Sequence, residues 1–423
     1  MELTKNYKLT DYGIIPTDWK EIVLGKSSLL KARIGWQGLT TAEYLKDGNY
    51  YLITGTEFKD GFIDWDSCYY VSKERYEQDK FIQVKESDIL ITKDGTIGKV
   101  AFVEKVPKPA TLNSGVFVIR PLNDSYNPRF TYYILRSSHF KTFLNKLSAG
   151  STINHLYQKD FVHYKIPLPP TPEEQQAIAT ALSDIDTLIT NLDKLIAKKK
   201  AIKQGAMQRL LKAPDKGGKR LPGFEGEWIS DKVENIMKVY RGGSPRPIQA
   251  YLTESANGIN WIKIGDTDKF GKYIKSSEER IIPEGQNFSR NVYIGDFLLS
   301  NSMSFGRPYI LKIDGCIHDG WLVLQNYQSS LDTEFLYYLL ISREVHNQYL
   351  SKAAGSGVLN LNKELVKSVE LTFPKSLEEQ KSIASVFCDM DTEIESLESK
   401  KSKYLLIKQG MMQELLTGKT RLI

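Results

Sequence analysis

Cysteine is scarce in this sequence: Cys68, Cys316 and Cys388 are the only three in 423 residues. None forms a Cys-x-x-Cys pair, so neither a disulfide framework nor a cysteine-built zinc site follows, and a reducing cytoplasmic setting is expected. Long apolar runs are missing too. The most apolar stretch, Phe335 to Ile341, is far too short to cross a bilayer, and Met1 to Lys8 has no signal core, so no membrane association is expected. No Gly-x-x-x-x-Gly-Lys-Ser/Thr loop is present, which argues against ATP hydrolysis by the chain, and no cofactor is expected. Asn127-Pro128-Arg129-Phe130 lacks the second proline of an amino-methyltransferase Asn/Asp-Pro-Pro-Tyr motif and reads as a turn before a helix. Asp94 and Lys99 have no second carboxylate at nuclease spacing. The five histidines, His139, His155, His163, His318 and His346, have no ligand spacing, so no metal site is expected.

What is present is ordinary in amount: 41% hydrophobic and 26% charged residues, with 57 Lys and Arg against 51 Asp and Glu for a net charge of +6. Such a composition fits a folded chain of two or three domains. The mild basic excess permits a nucleic-acid partner without demanding one.

The strongest signal is an internal repeat. Glu173-Glu174-Gln175 recurs as Glu378-Glu379-Gln380, and the same spacing relates Ile202-Lys203-Gln204-Gly205 to Ile407-Lys408-Gln409-Gly410. Upstream it relates Tyr132-Tyr133 to Tyr337-Tyr338 and Ala149-Gly150-Ser151 to Ala354-Gly355-Ser356. Nearer each half's start the spacing drifts, with Trp19 matching Trp228 and Asp88 matching Asp296. Each half is therefore a divergent globular part followed by a closely similar tail.

In the first tail Ile178, Leu182, Ile185, Ile189, Leu192 and Ile196 alternate steps of four and three, the seam of a left-handed coiled coil. Ile383, Phe387, Met390, Ile394 and Leu397 repeat the pattern, after which the second tail becomes more polar. Prolines precede each helix, the Glu pairs occupy first turns where the helix dipole favours them, and Lys212 to Gly218 reads as a breaker-rich linker. Each seam has to be buried against the other helix, a partner protein or both; a purely structural spacer is the alternative. A helix of about 39 residues is about 58 Å long. Antiparallel pairing would give a dumbbell with approximate two-fold symmetry.

Gly13 to Trp19 and Leu221 to Trp228 read as lead-in loops. Short β-rich runs follow, Asn49 to Ile53, Asp88 to Thr92 and Gly115 to Ile119 in the first half, Asn260 to Ile264 and Trp321 to Leu324 in the second, which makes each globular part mixed α/β. An aromatic helix is expected over Phe130 to Leu144 and another over Phe335 to Leu350, their aromatic faces turned to the core. Three loops gather small, polar and basic residues: Thr92 to Lys99 with Lys93, Thr96 and Lys99; Tyr240 to Arg246 with Arg241, Ser244 and Arg246; and Ser300 to Arg307 with Ser302, Ser304 and Arg307. These, with Ser151 and Ser356, are the candidate DNA-contacting residues, able to bring cations and hydroxyls to phosphates or base edges. A solvated turn is the alternative for each. Lys198-Lys199-Lys200 and Lys203 either contact DNA or solvate the helix.

The Leu221 to Trp228 lead-in, Ile166-Pro167-Leu168-Pro169 and Leu371-Thr372-Phe373-Pro374, the Glu-Glu-Gln helix starts and the Lys-Gln-Gly endings together resemble the specificity subunit of type I restriction-modification enzymes over essentially the whole chain. The resemblance implies a fold of two mixed α/β target recognition domains, 1–171 and 223–374, joined by antiparallel spacer helices, 172–212 and 375–418, with a linker at 213–222. It implies double-stranded DNA as a partner, each domain reading one half of an asymmetric interrupted target. It implies two modification subunits that bring S-adenosylmethionine and methylate adenine, and restriction subunits that translocate with ATP and cut. The seam residues would form the spacer and dock partners; about 58 Å corresponds to a ceiling of about 17 base pairs between the heads. The chain itself would carry no catalytic step. A self-sufficient methyltransferase or nuclease, and a coiled-coil adaptor that binds only proteins, are the competing readings. The second helix departs from the first in carrying Glu393, Glu395, Glu398 and Lys400-Lys401, which would pair less tightly or serve the partner differently.

Overall fold

The computed structural model describes residues 6–35, 38–148, 155–268, 271–301, 305–353 and 361–422. The chain forms two compact units, Met1–Asp193 with Ser399–Ile423, and Lys194–Glu398. Each has a mixed α/β head and segments of two long helices, Pro172–Leu210 and Leu377–Leu415. No described helix is long and apolar enough to cross a membrane.

The first unit opens with a hairpin, Tyr7–Thr10 against Gly13–Pro16, where a loop was expected. Its main sheet is antiparallel in the order Val100–Phe102, Ile89–Thr92, Val116–Pro121, Ser28–Ala32. A second sheet orders Ala110–Leu112, Tyr50–Ile53 and Tyr69–Val71. The main sheet is covered on both faces, so its central strands are continuously apolar rather than alternating, and period two instead decides which core each residue joins. Leu90, Val116 and Val118 pack toward the second sheet. Ile89, Ile91, Phe117 and Ile119 pack toward the helices, with Ile178, Ala179 and Leu182 from the start of the first long helix and Leu415 and Leu416 from the end of the second.

The second unit repeats this plan with five strands, in the order Lys238–Arg241, Trp321–Gln325, Phe297–Ser300, Pro308–Leu311, Tyr273–Ile274. Its second sheet orders Glu279–Ile281, Ile259–Ile262, Gly315–Ile317 and Arg290–Val292. Leu298, Trp321 and Val323 face that sheet. Phe297, Leu299, Leu322 and Leu324 face the helices, together with Leu211 and with Ile383, Ala384 and Phe387. At roughly 1.5–3 kcal/mol per fully buried large apolar side chain, these layers hold each unit.

The aromatic helix expected over Phe130 to Leu144 is two, Pro128–Ile134 and Ser138–Ser148, and its counterpart likewise breaks into Thr333–Leu340 and Arg343–Ala353. A serine causes each break: the Ser137 hydroxyl accepts from the Phe140 N–H and the Ser342 hydroxyl from the Val345 N–H, so each serine starts a new helix. Asn127 caps the preceding helix by accepting from the Phe130 N–H at 3.0 Å, with Pro128 in the first turn.

The Glu-Glu-Gln motif is a joint between head and helix. Thr171 and Ser376 cap the two long helices by accepting from the Glu174 and Glu379 N–H groups. Gln175 donates to the Pro169 carbonyl and accepts from the Asn127 N–H at 2.8 Å. Gln380 donates to the Pro374 and Ser330 carbonyls and accepts from the Asp332 N–H at 2.8 Å. Glu174 and Glu379 are 4% and 0% exposed. Each meets an arginine from beyond the other helix: Arg421 pairs with Glu174 and Arg220 with Glu379, both through two guanidinium nitrogens.

A second reciprocal element accounts for the lysine of the Lys-Gln-Gly repeat. In the first unit the Tyr133 hydroxyl donates to Asp186 at 3.0 Å and Lys408 pairs with the same carboxylate at 2.5 Å. In the second unit Tyr338 donates to Asp391 at 2.7 Å, and Lys203 closes on Asp391. Burial, together with Asp186 and Asp391, pushes both tyrosines well above their ordinary values; burial pulls Lys408 down against the pull of Asp186.

Candidate nucleic-acid interface

In each head the turns at one end of the main sheet converge. In the first, the turn from Lys93 to Lys99 bends through Gly95 and Gly98 at φ +67° and +79°, where a side chain would be strained. Thr92 closes it: its hydroxyl accepts from the Lys99 N–H at 2.9 Å and donates to the Thr96 carbonyl. The Lys93 N–H donates to the Gly115 carbonyl, and its own carbonyl accepts from the Leu156 N–H, both at 2.8 Å. The Lys93 ammonium lies 5.5 Å from the centre of the Phe117 ring, half-buried, while Thr96 and Lys99 are exposed. Asp94 closes on the His155 ring nitrogen.

Arg33 follows the strand Ser28–Ala32 in the same head, yet it is 2% exposed. It donates to the carbonyls of Leu112 (2.9 Å) and Arg75 (3.3 Å), the Gln78 side chain (3.0 Å) and the Thr111 hydroxyl (3.2 Å). Burial lowers its pKa more than any neighbour raises it. This cation ties the end of its strand to Thr111 and Leu112 of the second sheet and to Arg75 and Gln78.

In the second head the turn His318-Asp319-Gly320 is the hub. Gly242 and Gly243 donate to the carbonyls of Trp321 and Ile317 at 2.9 and 3.2 Å, laying the 241–247 segment against it. A Cβ on Gly242 would sit 2.1 Å from the His318 carbonyl oxygen, so only glycine permits that approach. Arg241 donates through Nε to the Asp319 carbonyl at 3.2 Å. Ser244 donates to Asp319 Oδ1 at 3.2 Å, and Arg246 stands 3.6 Å from Oδ2 with its side chain 83% exposed. The Gly320 N–H donates to His318 Nδ1 at 2.9 Å, which leaves the proton on Nε2, 3.0 Å from Asp319 Oδ1. Asn301 donates to both the Gly320 and Asp319 carbonyls.

The structure thus gathers Arg241, Ser244 and Arg246 in one cluster, and Lys93, Thr96 and Lys99 on one turn. Arg307 is half-buried, donating to the Gly271 carbonyl at 3.1 Å and lying 5.3 Å from the Tyr309 ring centre. Ser151, Ser302, Ser304 and Ser356 lie outside the described residues. Sequence patterns did not single out Asp319 or Arg33: a lone Asp or Arg at a turn carries no periodic signal.

Of the seam residues, Ile178, Leu182, Ile185, Leu192, Ile196, Ile383, Phe387 and Ile394 are buried, and Ile189, Met390 and Leu397 half-buried. Lys199 and Lys200 pair with Glu393 and Glu398 at 2.6 Å, so the polar stretch of the second helix and the lysine run of the first answer each other. Lys401 pairs with Asp193.

The chain matches the family described as type I restriction modification DNA specificity domain, over residues 35–204 and 225–405. It is 30% identical to the MjaX type I restriction enzyme specificity subunit of Methanocaldococcus jannaschii, across 99% of this chain and 97% of that protein. It is 24% identical to the EcoKI specificity subunit of Escherichia coli, across 59% of this chain and 51% of that one. In fold it is similar to the S subunit of a type I restriction-modification system from M. genitalium, with TM-score 0.59, 16% identity, and 98% of each chain covered. It is also similar to a chain in a structure concerned with assembly of a type I system, with TM-score 0.61, 17% identity, and 96% and 99% covered.

Proposed function

The chain belongs to the type I restriction-modification DNA specificity family, and from that premise we propose that its two heads each read one half of an asymmetric, interrupted DNA target. It is a specificity subunit: recognition resides here and the chemistry does not. The observation that carries the finer reading is that turns at one end of a like-ordered main sheet present different polar and basic residues in the two heads: Lys93, Thr96 and Lys99 on the turn between Ile89–Thr92 and Val100–Phe102 in one, Arg241, Ser244 and Arg246 on the segment that leaves Lys238–Arg241 in the other. Similar frames with unlike side chains suit two unlike half-sites. Arg307, Ser151, Ser302, Ser304 and Ser356 complete the proposed contacts.

The heads are taken as 1–171 and 223–374, with spacer helices 172–212 and 375–418 paired antiparallel as a coiled coil. The opposed order of the ion pairs supports this: Lys199 with Glu393 and Lys203 with Asp391 in one unit, Lys401 with Asp193 and Lys408 with Asp186 in the other. Two modification subunits, and restriction subunits with them, are the proposed protein partners, in a cytoplasmic complex. Since the seams are largely buried within the chain, the apolar residues left exposed on the helices, such as Leu405, Leu406 and Ile407, are the better docking surface.

Methylome sequencing of cells carrying this chain with a modification subunit tests the reading. An interrupted adenine-methylated motif that appears only with this chain is expected. Methyl transfer by the chain alone would overturn it, and a stable complex that adds no motif would favour the protein-only adaptor.

A further inference from the structure

A carboxylate among DNA-contacting cations is costly, because it repels the phosphates that supply most of the affinity. Asp319 nevertheless sits at the centre of the second head's cluster. Its backbone carbonyl fixes Arg241, its Oδ1 takes Ser244 and His318, and among the described residues its Oδ2 meets only Arg246, at a loose 3.6 Å. Arg246 is exposed, so that long contact is exchangeable. Beside the turn opens a pocket of about 410 Å³, lined in part by Arg246, Gln249, Lys263 and His318, which leaves room for a group to reach Oδ2.

A carboxylate only accepts hydrogen bonds and a guanidinium only donates them. Side by side they match one base pair in the major groove: guanine offers the acceptors O6 and N7, and its cytosine offers the N4 amino donor. An A·T pair fits less well, since adenine presents a donor and an acceptor together and calls for a side chain with both. We propose that Asp319 is a specificity-determining residue that accepts from the N4 amino group of a cytosine, while Arg246 or Arg241 donates to its guanine. The half-site of the second head therefore contains at least one G·C pair. The inference rests on the DNA-reading role given to this cluster above.

The test uses the chain assembled with its modification subunits, titrated against duplexes in which each base pair of the second half-site is replaced in turn. Wild-type protein loses about tenfold in affinity when one particular G·C pair becomes A·T. Asp319→Asn, whose amide both donates and accepts, loses most of that discrimination, keeps the other positions and the first half-site, and binds non-specific DNA more tightly. A second measurement needs no variant: cytosine at that pair is replaced by a 2-pyrimidinone nucleotide that lacks the N4 amino group, and wild-type affinity falls by a similar factor. A half-site without G·C pairs, unchanged affinity for the amino-less duplex, or uniform loss across the half-site in Asp319→Asn would overturn the proposal. If Arg241→Gln and Arg246→Gln also leave the half-site unaltered, it is the role of the cluster itself that fails.

Discussion

Arg421 holds Glu174 across 247 residues of sequence, its Nη2 2.8 Å from Oε2, and the same guanidinium reaches Asp18 at 3.1 Å. Arg220 and Glu379 repeat the relationship in the second unit. In both, the carboxylate is buried in the first turn of a long helix and its cation arrives from beyond the other helix.

Arg421→Ala should destabilise the first unit by about 3 kcal/mol, because it leaves a buried carboxylate unpaired. Arg220→Ala should cost at least as much, since Glu379 is wholly buried. Urea unfolding followed separately in the two units measures this. A double cycle with Glu174→Gln should recover most of the loss, and a cost of a few tenths of a kcal/mol would mean that the pair contributes little.

Asp296 is 6% exposed, accepts from the Tyr293 N–H and the Gln325 amide, and has no cation partner among the described residues. Burial raises its pKa above 3.8. The folded state thus holds the proton more tightly than the unfolded one, so this group's stabilisation is full below pH 3.8 and is lost as pH rises through the raised value. Asp296→Asn keeps the acceptor and cannot ionise. Its stability relative to wild type should rise from pH 3 towards neutrality and then level off, as read by urea unfolding at each pH; a flat difference would show that the carboxyl does not titrate in that window.

Gly242→Ala places a methyl group 2.1 Å from the His318 carbonyl oxygen, so the 241–247 segment has to lift away. Recognition of the second half-site should fall at least tenfold in DNA-binding titrations of the assembled complex, while the first half-site is still read. Loss of both half-sites together would contradict independent heads.

Replacing Leu405, Leu406 and Ile407 by serine should leave the melting temperature within a few degrees, because these side chains are 47%, 69% and 40% exposed. Co-purification with a modification subunit should weaken. Undiminished assembly would move the docking surface elsewhere.

The repeat was legible because sequence identity needs no geometry to be seen, and the strands at Ile89–Thr92 and Trp321–Gln325 were legible as apolar runs between turns. The reading of the Glu pair was incomplete. The dipole accounts for an acidic first turn, but Arg421 and Arg220 are too distant in sequence to be paired with those glutamates by any spacing rule. The polar stretch of the second helix looked like a weak seam because its partners, Lys199 and Lys200, looked like surface charge. Arg241, Ser244 and Arg246 were visible as a small, basic turn; that Asp319 holds all three was not, since a hub is defined by contacts rather than composition.

The first unit takes Leu415, Leu416 and Arg421 into its core and its clasp. A ribosome adding about 5–20 residues per second therefore makes the whole of Lys194–Glu398 before the first head can finish folding. The unit whose synthesis begins first is completed only after the second, and a nonsense codon or frameshift ahead of Leu415 would strike a head encoded hundreds of residues upstream.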